Sequence, residues 1–201
     1  MISYAQNFED VMLARVFSGR TDGFYVDVGA GDPVALSVTK WFYDLGWSGI
    51  NIEPNRSLFK KLSADRSRDI NLECGAGASR KHAQFMEMPI PELSSFDSRV
   101  HASAKELFGT TRTVRVVPLT EILDQYAGER HIDFLKIDVE GWEREVLCGL
   151  DLEKYRPTVI LVESAWPETR TESQSEWEDD LIATRYTFAY FDGINRFYLA
   201  N

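Results

Sequence analysis

Strand-like and helix-like hydrophobic patterns alternate along most of this 201-residue chain, and that alternation restricts its fold more than any other feature. β-rich runs predict strands at 24–28, 49–53, 71–74, 132–139 and 158–163. Helical patterns predict helices at about 32–45, from Asn55 onward, and at 142–150. Because helical crossovers connect parallel strands, this order predicts an α/β fold: a mostly parallel sheet with helices on both faces.

The last part of the chain departs from this rhythm. Two strand runs, 186–191 and 196–200, are joined by Asp192-Gly193-Ile194-Asn195, which predicts a C-terminal antiparallel hairpin. We expect 1–201 to be a single domain, excised from or truncated within a longer protein, because the sequence stops directly after the hairpin. The least regular stretch, about 88–112, is long for a connection and is predicted to be a lid or insertion.

The amino-acid composition limits which partners this protein can bind and where it is located. Asp and Glu number 32 against 22 Lys and Arg, a net charge of −10, which disfavours nucleic acid and anionic lipid. No apolar run has the length of a membrane span, and the polar N-terminus is unlike a signal peptide. Cys74 and Cys148 are far apart and match neither a disulfide framework nor a zinc motif. We therefore expect a cytoplasmic location.

A glycine turn follows the first predicted strand, in Asp27-Val28-Gly29-Ala30-Gly31. The second strand ends at Glu53, 24 residues after Gly29, where a carboxylate can accept both hydroxyls of a ribose. Ligands of open parallel sheets bind at the carboxyl ends of the strands, so this pattern suits a cofactor that contains adenosine. The alternative reading is a tight turn with a solvated acid.

The residues after the turn distinguish two kinds of cofactor. A dinucleotide fingerprint has a third glycine where this chain has Val34, and it leaves the next helix start free for a pyrophosphate. Here Asp32 and Pro33 occupy that start, and an aspartate there would repel a diphosphate. S-adenosylmethionine has no phosphate and carries an ammonium and a sulfonium, so nearby acids favour it.

Five segments together resemble the FkbM-type methyltransferases. They are SYAQNFED (3–10), FYVDVGAGDP (24–33), GWSGINIEP (46–54), LKIDVEG (135–141) and YFDGINRFY (190–198). The resemblance implies a Rossmann-like, class I methyltransferase fold, with a seven-stranded sheet that ends in the hairpin. It also implies S-adenosyl-L-methionine as cofactor, O-methylation of sugar hydroxyls, and fusion to or association with a glycosyltransferase.

The same resemblance implies a set of cofactor-binding residues: Gln6, Asp10, Asp27, Gly29, Ala30, Gly31, Ser37, Glu53, Pro54, Gly75, Ala76 and Asp138. By this resemblance, the glycine turn would surround the methionine moiety of the cofactor. Glu53 would contact the ribose, and the Gly75-Ala76 turn would contact the adenine end. Gln6 and Asp10 would close over the cofactor. The alternative for those two is helix capping and surface solvation, and Ser37 could merely face solvent.

The strand that begins near Ile132 supplies the catalytic candidates. Side chains alternate along a strand, so Lys136, Asp138 and Glu140 would project from one face, and Glu163 ends the next strand. A lysine among carboxylates can orient them for removing a hydroxyl proton, or the carboxylates can coordinate a divalent metal. No residue is assigned as a metal ligand at this point. The alternative is a structural salt bridge with Glu140 as a helix cap.

Two further residues are candidates for the acceptor. Trp166 can stack on a sugar ring or pack on the core, and His101 can reach a substrate hydroxyl from the predicted lid. The leading hypothesis is an S-adenosylmethionine-dependent O-methyltransferase acting on a sugar hydroxyl of a glycan or polysaccharide precursor. A cofactor-binding or assembly module of a larger glycan-processing protein and an NAD-dependent oxidoreductase are the alternatives.

Overall fold

The computed structural model describes residues 1–100, 109–166 and 171–201. Its strands are β1 (Phe24–Val28), β2 (Ser48–Ile52), β3 (Ile70–Leu72), β4 (Gly75–Ala76), β5 (Lys81–Glu87), β6 (Thr110–Val117), β7 (Phe134–Ile137), β8 (Val159–Glu163), β9 (Tyr186–Phe191) and β10 (Asn195–Ala200). The helices are α1 (Glu9–Val16), α2 (Lys40–Asp44), α3 (Arg56–Asp65), α4 (Leu119–Tyr126), α5 (Glu143–Cys148) and α6 (Glu178–Ala183), with short 3₁₀ turns at Pro91–Leu93 and Gln174–Glu176.

Seven strands form the main sheet in the order β3-β2-β1-β7-β8-β10-β9. Every neighbouring pair is parallel except those that involve β10, which runs antiparallel to β8 and β9. The predicted mostly parallel, seven-stranded sheet with a C-terminal hairpin is therefore confirmed. The strand order reverses between β1 and β7, and Val28 pairs with both Ile52 and Ile137. The segments that follow β1, β2 and β7 consequently leave the sheet at one edge.

The sheet is buried on both faces, as its sequence pattern predicts. All five residues of β1 are buried, so the strand has no polar, solvent-facing side. Val26, Ile50 and Leu135 contribute to the apolar cluster on one face, and Tyr25 and Phe134 to the cluster on the other, where their rings stack with centroids 5.6 Å apart. Apolar side chains on both faces require helices on both faces, and this fixes the layered architecture.

A second sheet of three strands, in the order β4-β6-β5, packs beside the carboxyl edge of the main sheet. The sequence analysis did not identify β5 or β6. In β5 exposed and partly buried side chains alternate and only Phe85 is buried, so the hydrophobic signal of this edge strand is weak. The predicted lid at 88–112 therefore overlaps β6, which begins at Thr110, and its 101–108 portion lies outside the described residues.

The predicted helix at about 32–45 is much shorter in the structure, where α2 begins only at Lys40. The Asp32 carboxylate accepts the amides of Val34 and Ala35, which produces a turn instead of a first helical turn. Leu36 then takes a left-handed backbone conformation, with φ at 58°. By contrast, Asn55 is the N-cap of α3, as predicted.

None of the helices in the described ranges is both long enough and apolar enough to cross a membrane.

Candidate active site

A cleft of about 260 Å³ opens at the carboxyl edge of the main sheet, where β1, β2, β7 and β8 end. Most of the predicted site residues line it: Gln6, Gly29, Ala30, Gly31, Glu53, Pro54, Gly75, Ala76, Lys136, Asp138, Glu140 and Glu163. Residues that are far apart in the chain thus meet in one place, because the parallel strands deliver their ends to a common edge.

The glycine turn after β1 approaches the end of β7 too closely for any side chain. Gly29 has φ at 77°, and a Cβ atom there would stand 1.8 Å from the backbone oxygen of Asp138. Gly31 also has a positive φ, but a Cβ atom on it would meet nothing within 4 Å. Gly29 is therefore required by backbone packing, and Gly31 leaves open space beside the cleft.

Glu53, which directly follows β2, connects the glycine turn to the next helix. Its two carboxylate oxygens accept the amide of Gly31 at 2.9 Å and the amide of Asn55 at 2.7 Å. The side chain is only 5% exposed, and this burial raises its pKa to about 7 despite those two hydrogen bonds. The contact orients a carboxyl at the cleft wall, where it can accept ligand hydroxyls with its remaining lone pairs.

Three of the predicted cofactor residues are not among the residues that line the cleft. Asp10 is fully buried and accepts the Ser3 hydroxyl and the Tyr4 amide, and so shapes the segment that brings Gln6 to the cleft. Asp27 and Ser37 are also buried and support the site from behind. The sequence motif contains all three, but the motif alone does not separate lining from supporting roles.

Asp27 reaches the site through Lys136, the central cation of the cleft floor. The Lys136 ammonium lies 3.2 Å from Asp27 Oδ1, 3.3 Å from Asp138 Oδ2 and 2.9 Å from the backbone oxygen of Gly29. Burial by itself lowers the pKa of Lys136, but the charges of Asp138 and Asp27 outweigh it and raise the pKa above its usual value. Lys136 therefore links the ends of β1 and β7 through two ion pairs and one hydrogen bond.

Asp138, Glu140 and Glu163 form an acidic cluster beside this lysine. Each offers a carboxylate oxygen within 4.8 Å of the other two. The alternation predicted for 132–139 does not produce this cluster, because β7 ends at Ile137 and Glu140 has a left-handed φ of 54°. A turn brings the three acids together, and the Ser95 hydroxyl, which donates to the backbone oxygen of Glu140 at 2.7 Å, holds that turn.

Crowding of like charges changes the protonation of the cluster. Burial, and then the charges of Asp138 and Glu143, raise the pKa of Glu140 to about 9. Burial, and then the charges of Asp138, Glu140 and Glu143, raise the pKa of Glu163 well above its usual value. With a pKa of about 9, Glu140 holds a proton at neutral pH in the free protein, and the pKa of Glu163 is shifted in the same direction.

Glu143 is a site residue that the sequence analysis missed. Its carboxylate accepts the amides of Val139 and Gly141 at 3.2 and 3.0 Å, and so closes the turn that carries Glu140. Burial raises its pKa to about 7, although these amides oppose the shift. An acid in the first turn of a predicted helix is the signal that could have identified it.

The second sheet and the segment after it supply an apolar wall that the sequence analysis also missed. Phe85, Phe96 and Trp142 line the cleft, with the Phe96 ring between the other two. The Trp142 indole donates to the backbone oxygen of Ala76 at 3.2 Å. An aromatic wall of this kind offers ring faces on which a purine can pack.

Of the two residues predicted to contact the acceptor, Trp166 lies within the described residues. Trp166 lines the cleft, and the Arg99 guanidinium lies 4.2 Å from the centre of its ring. Asp192, in the hairpin turn beside the cleft residue Ile194, accepts the amides of Ile194 and Asn195 and so holds that turn. His101 lies outside the described residues.

Comparison with known protein families gives a match over most of the chain. The family described as "Methyltransferase FkbM domain" matches residues 27–192. No curated protein matches the sequence. Among solved structures, a chain from "Crystal structure of fibrillarin/Nop5p complex" has 14% sequence identity and a TM-score of 0.47, over 94% of this chain and 79% of that one. The family match spans the glycine turn, Glu53 and the acidic cluster, and the chain belongs to the FkbM methyltransferase domain family.

Proposed function

We propose that this methyltransferase uses S-adenosyl-L-methionine and transfers the methyl group to a hydroxyl of a sugar in a glycan or polysaccharide precursor. Membership of the family supports methyl transfer itself. The cofactor and the acceptor are inferred from the chemistry of the cleft.

The buried contact between Glu53 and the amide of Gly31 carries the cofactor proposal. It places a carboxyl for ribose hydroxyls against an open glycine turn, with the apolar wall of Phe85, Phe96 and Trp142 in the same cleft. The acidic cluster lines that cleft too and suits a ligand with positive charge. One cleft therefore offers partners for a nucleoside and for a cationic group, the two parts of S-adenosylmethionine.

The same region is poorly suited to the diphosphate of a dinucleotide. The amides of Val34 and Ala35 are already bonded to the Asp32 carboxylate, whose negative charge would face the phosphates. The helix that follows starts only at Lys40, nine residues after Gly31, so the glycine turn does not lead directly into a helix N-terminus. These features favour the phosphate-free cofactor over NAD.

Asp138 is the proposed general base. The bound cofactor supplies an electrophilic methyl group on positively charged sulfur. Asp138 would take the hydroxyl proton on a carboxylate oxygen when the acceptor oxygen receives the methyl group and the cofactor leaves as the neutral thioether. Lys136 holds the other side of that carboxylate, at 3.3 Å from Oδ2. Glu140, protonated at neutral pH in the free protein, can donate a hydrogen bond to another oxygen of the acceptor.

A sugar acceptor fits the remaining groups of the cleft. Clustered carboxyls exchange hydrogen bonds with hydroxyls, and Trp166 offers an indole at the cleft wall for stacking on a sugar ring. Association with a glycosyltransferase and a cytoplasmic location are part of the same proposal; the family resemblance supports the first, and the free Cys74 and Cys148 support the second.

Calorimetric titration with S-adenosylhomocysteine, with NADH as a parallel ligand, tests the cofactor. We expect micromolar binding of S-adenosylhomocysteine alone. Glu53→Ala should weaken it about 10- to 100-fold, because a charged hydrogen-bond acceptor contributes roughly 1.5–3 kcal/mol. Glu129→Ala, which removes an exposed acid, is the matched control and should bind as the wild type does.

Any other result of this titration would contradict part of the proposal. Binding of NADH in place of S-adenosylhomocysteine would refute the methyl donor and favour the oxidoreductase. If the folded chain binds neither, the assembly module becomes the better explanation. Unchanged affinity in a folded Glu53→Ala variant would remove Glu53 from the ribose site.

A further inference from the structure

We propose that Asp138, Glu140 and Glu163 bind one divalent cation of the hard class, Mg²⁺, Mn²⁺ or Ca²⁺, on the acceptor side of the cleft. The proposal that a cation binds depends only on these three side chains. Its role in holding the acceptor rests on the proposed function, since only a methyltransferase acting on oxygen would use a cation there to position hydroxyl groups.

The backbone around the three acids is fixed by hydrogen bonds. The Asp138 amide donates to Val28 at 3.0 Å, and the Ser95 hydroxyl donates to the Glu140 carbonyl at 2.7 Å. Directly after Glu163, the Ser164 amide donates to the carbonyl of Ile194 at 2.9 Å. The three carboxyls therefore project from the ends of two neighbouring strands that cannot easily separate.

The spacing of their oxygens matches a shared cation. The three oxygens lie within 4.8 Å of one another. Two oxygens on opposite sides of Ca²⁺ are up to about 5 Å apart, and on Mg²⁺ up to about 4.2 Å. The observed spacing thus accepts Ca²⁺ as it stands, and small side-chain rotations would accommodate Mn²⁺ or Mg²⁺.

An unsatisfied oxygen points independently to a missing positive partner. Oε2 of Glu163 has less than 1 Å² of exposed area and no hydrogen-bond partner within the described residues. Lys136, the nearby ammonium, has three N–H bonds and already faces three acceptors: Gly29 O, Asp27 and Asp138. In the described part of the chain, no ion pair involves Glu140 or Glu163. A bound cation would satisfy this oxygen, release to solvent the proton that Glu140 holds in the free protein, and offset the repulsion among the three carboxylates.

The ligand set indicates which cation, and what the cation would hold. Three carboxylate oxygens, without sulfur or imidazole, are the ligands of hard cations. Such ions take six or more oxygen ligands, so at least three positions would remain for water or for acceptor oxygens. A cation with several open positions favours an acceptor with two adjacent oxygens, such as a vicinal diol of a sugar ring.

Direct titration of the chelator-treated, dialysed protein with Mn²⁺ tests the site, with bound ion measured by electron paramagnetic resonance. We expect one Mn²⁺ per chain, displaced by Mg²⁺ or Ca²⁺. Glu163→Gln should weaken binding at least tenfold, and Glu140→Gln, a second variant, should do the same. Asp179→Asn makes the same carboxyl-to-amide change at an exposed position and should bind Mn²⁺ like the wild type.

Titration of the same samples with S-adenosylhomocysteine separates this proposal from the proposed function. If S-adenosylhomocysteine binds but Mn²⁺ does not bind stoichiometrically, the cation site is refuted and the proposed function stands. If Mn²⁺ binds but S-adenosylhomocysteine does not, the cation site stands and the cofactor proposal fails. Equal Mn²⁺ binding by the wild type and by both folded glutamine variants would also overturn the site.

Discussion

Lys136 is the residue on which the charge arrangement of the cleft depends. Its ammonium faces one backbone oxygen and two carboxylates, each within 3.3 Å, from the turn after β1 and from the end of β7. It therefore orients Asp27 and Asp138, whereas no ion pair within the described residues involves Glu140 or Glu163. Within the acidic cluster Asp138 is the member that is paired with this lysine, and this separates the proposed base from the two glutamates.

Asp138→Asn should lower methyl transfer at least about 100-fold in a chain that still folds and still binds S-adenosylhomocysteine. The amide cannot take the hydroxyl proton, and general-base catalysis contributes about 10²- to 10⁴-fold. The assay is transfer of labelled methyl to a panel of nucleotide sugars and oligosaccharides, with calorimetry on the same protein. Retained turnover would move the base to Glu163, to His101 or to the substrate.

Glu53 should make stability depend on pH. Its pKa is raised to about 7 in the folded state from about 4.5 when unfolded, so folding favours its protonated form. Its contribution is fully present below about pH 4.5 and is lost as pH rises through about 7, by up to about 3 kcal/mol. In the Glu53→Gln variant the side chain does not ionise, so this pH-dependent loss of stability does not occur. In urea unfolding, the variant should gain stability relative to wild type between pH 5 and pH 8, and parallel curves would contradict this.

At the scale of elements, the connection between β1 and α2 is held by a buried arginine from the end of α3. Arg66 is 1% exposed and donates to the Pro33 carbonyl and to the Ser37 hydroxyl at 2.6 and 3.0 Å. It also forms an ion pair with the buried Asp69. These contacts explain how residues 32–39 keep a defined path over the cleft without being a helix.

Arg66→Leu should lower the free energy of unfolding by about 3 kcal/mol. The change leaves Asp69 buried without its ion partner and leaves the Pro33 carbonyl without a donor. Urea unfolding is the measurement, and Arg144→Leu at an exposed position is the control, with less than about 0.5 kcal/mol expected. A loss equal to the control would mean that the network does not stabilise the fold.

At the scale of the whole molecule, the two ends of the described chain meet beside the cleft. The Asn195 side-chain amide donates to Glu9 at 2.7 Å, and the Asn7 side-chain amide donates to the backbone oxygen of Asp192 at 2.8 Å. These contacts join the segment that carries Gln6 to the hairpin turn that carries Ile194, and both residues line the cleft. The site is therefore completed by residues more than 180 positions apart.

Asn195→Ala should destabilise the protein by about 2 kcal/mol, because it leaves the buried Glu9 carboxyl without that donor. A double-mutant cycle with Glu9→Gln should give a coupling of at least about 1 kcal/mol by urea unfolding. Asn201→Ala, an exposed asparagine, is the control and should change stability by less than about 0.5 kcal/mol. Additive effects in the cycle would show that the two ends are energetically independent.

The sequence predicted most of what depends on local pattern. The runs around Val26, Ile50 and Leu135 identified the central strands, and the hairpin and the N-cap at Asn55 were also correct. It failed at 32–39, where the Asp32 carboxylate and Arg66 hold a path that is not helical. It failed also at β5, whose only buried residue is Phe85 and whose hydrophobic signal is therefore weak. The acidic residues were identified, but the turn that groups them was not.

The sequence by itself determined the alternation of strands and helices, the glycine turn and the identity of the acids, because periodicity and residue chemistry are local properties. Only the tertiary structure decided which of those acids share a cleft. Asp27 lies behind Lys136, whereas Asp138, Glu140 and Glu163 converge within 4.8 Å. Convergence depends on the register of parallel strands and on a left-handed turn at Glu140, which arise from packing across the whole sheet.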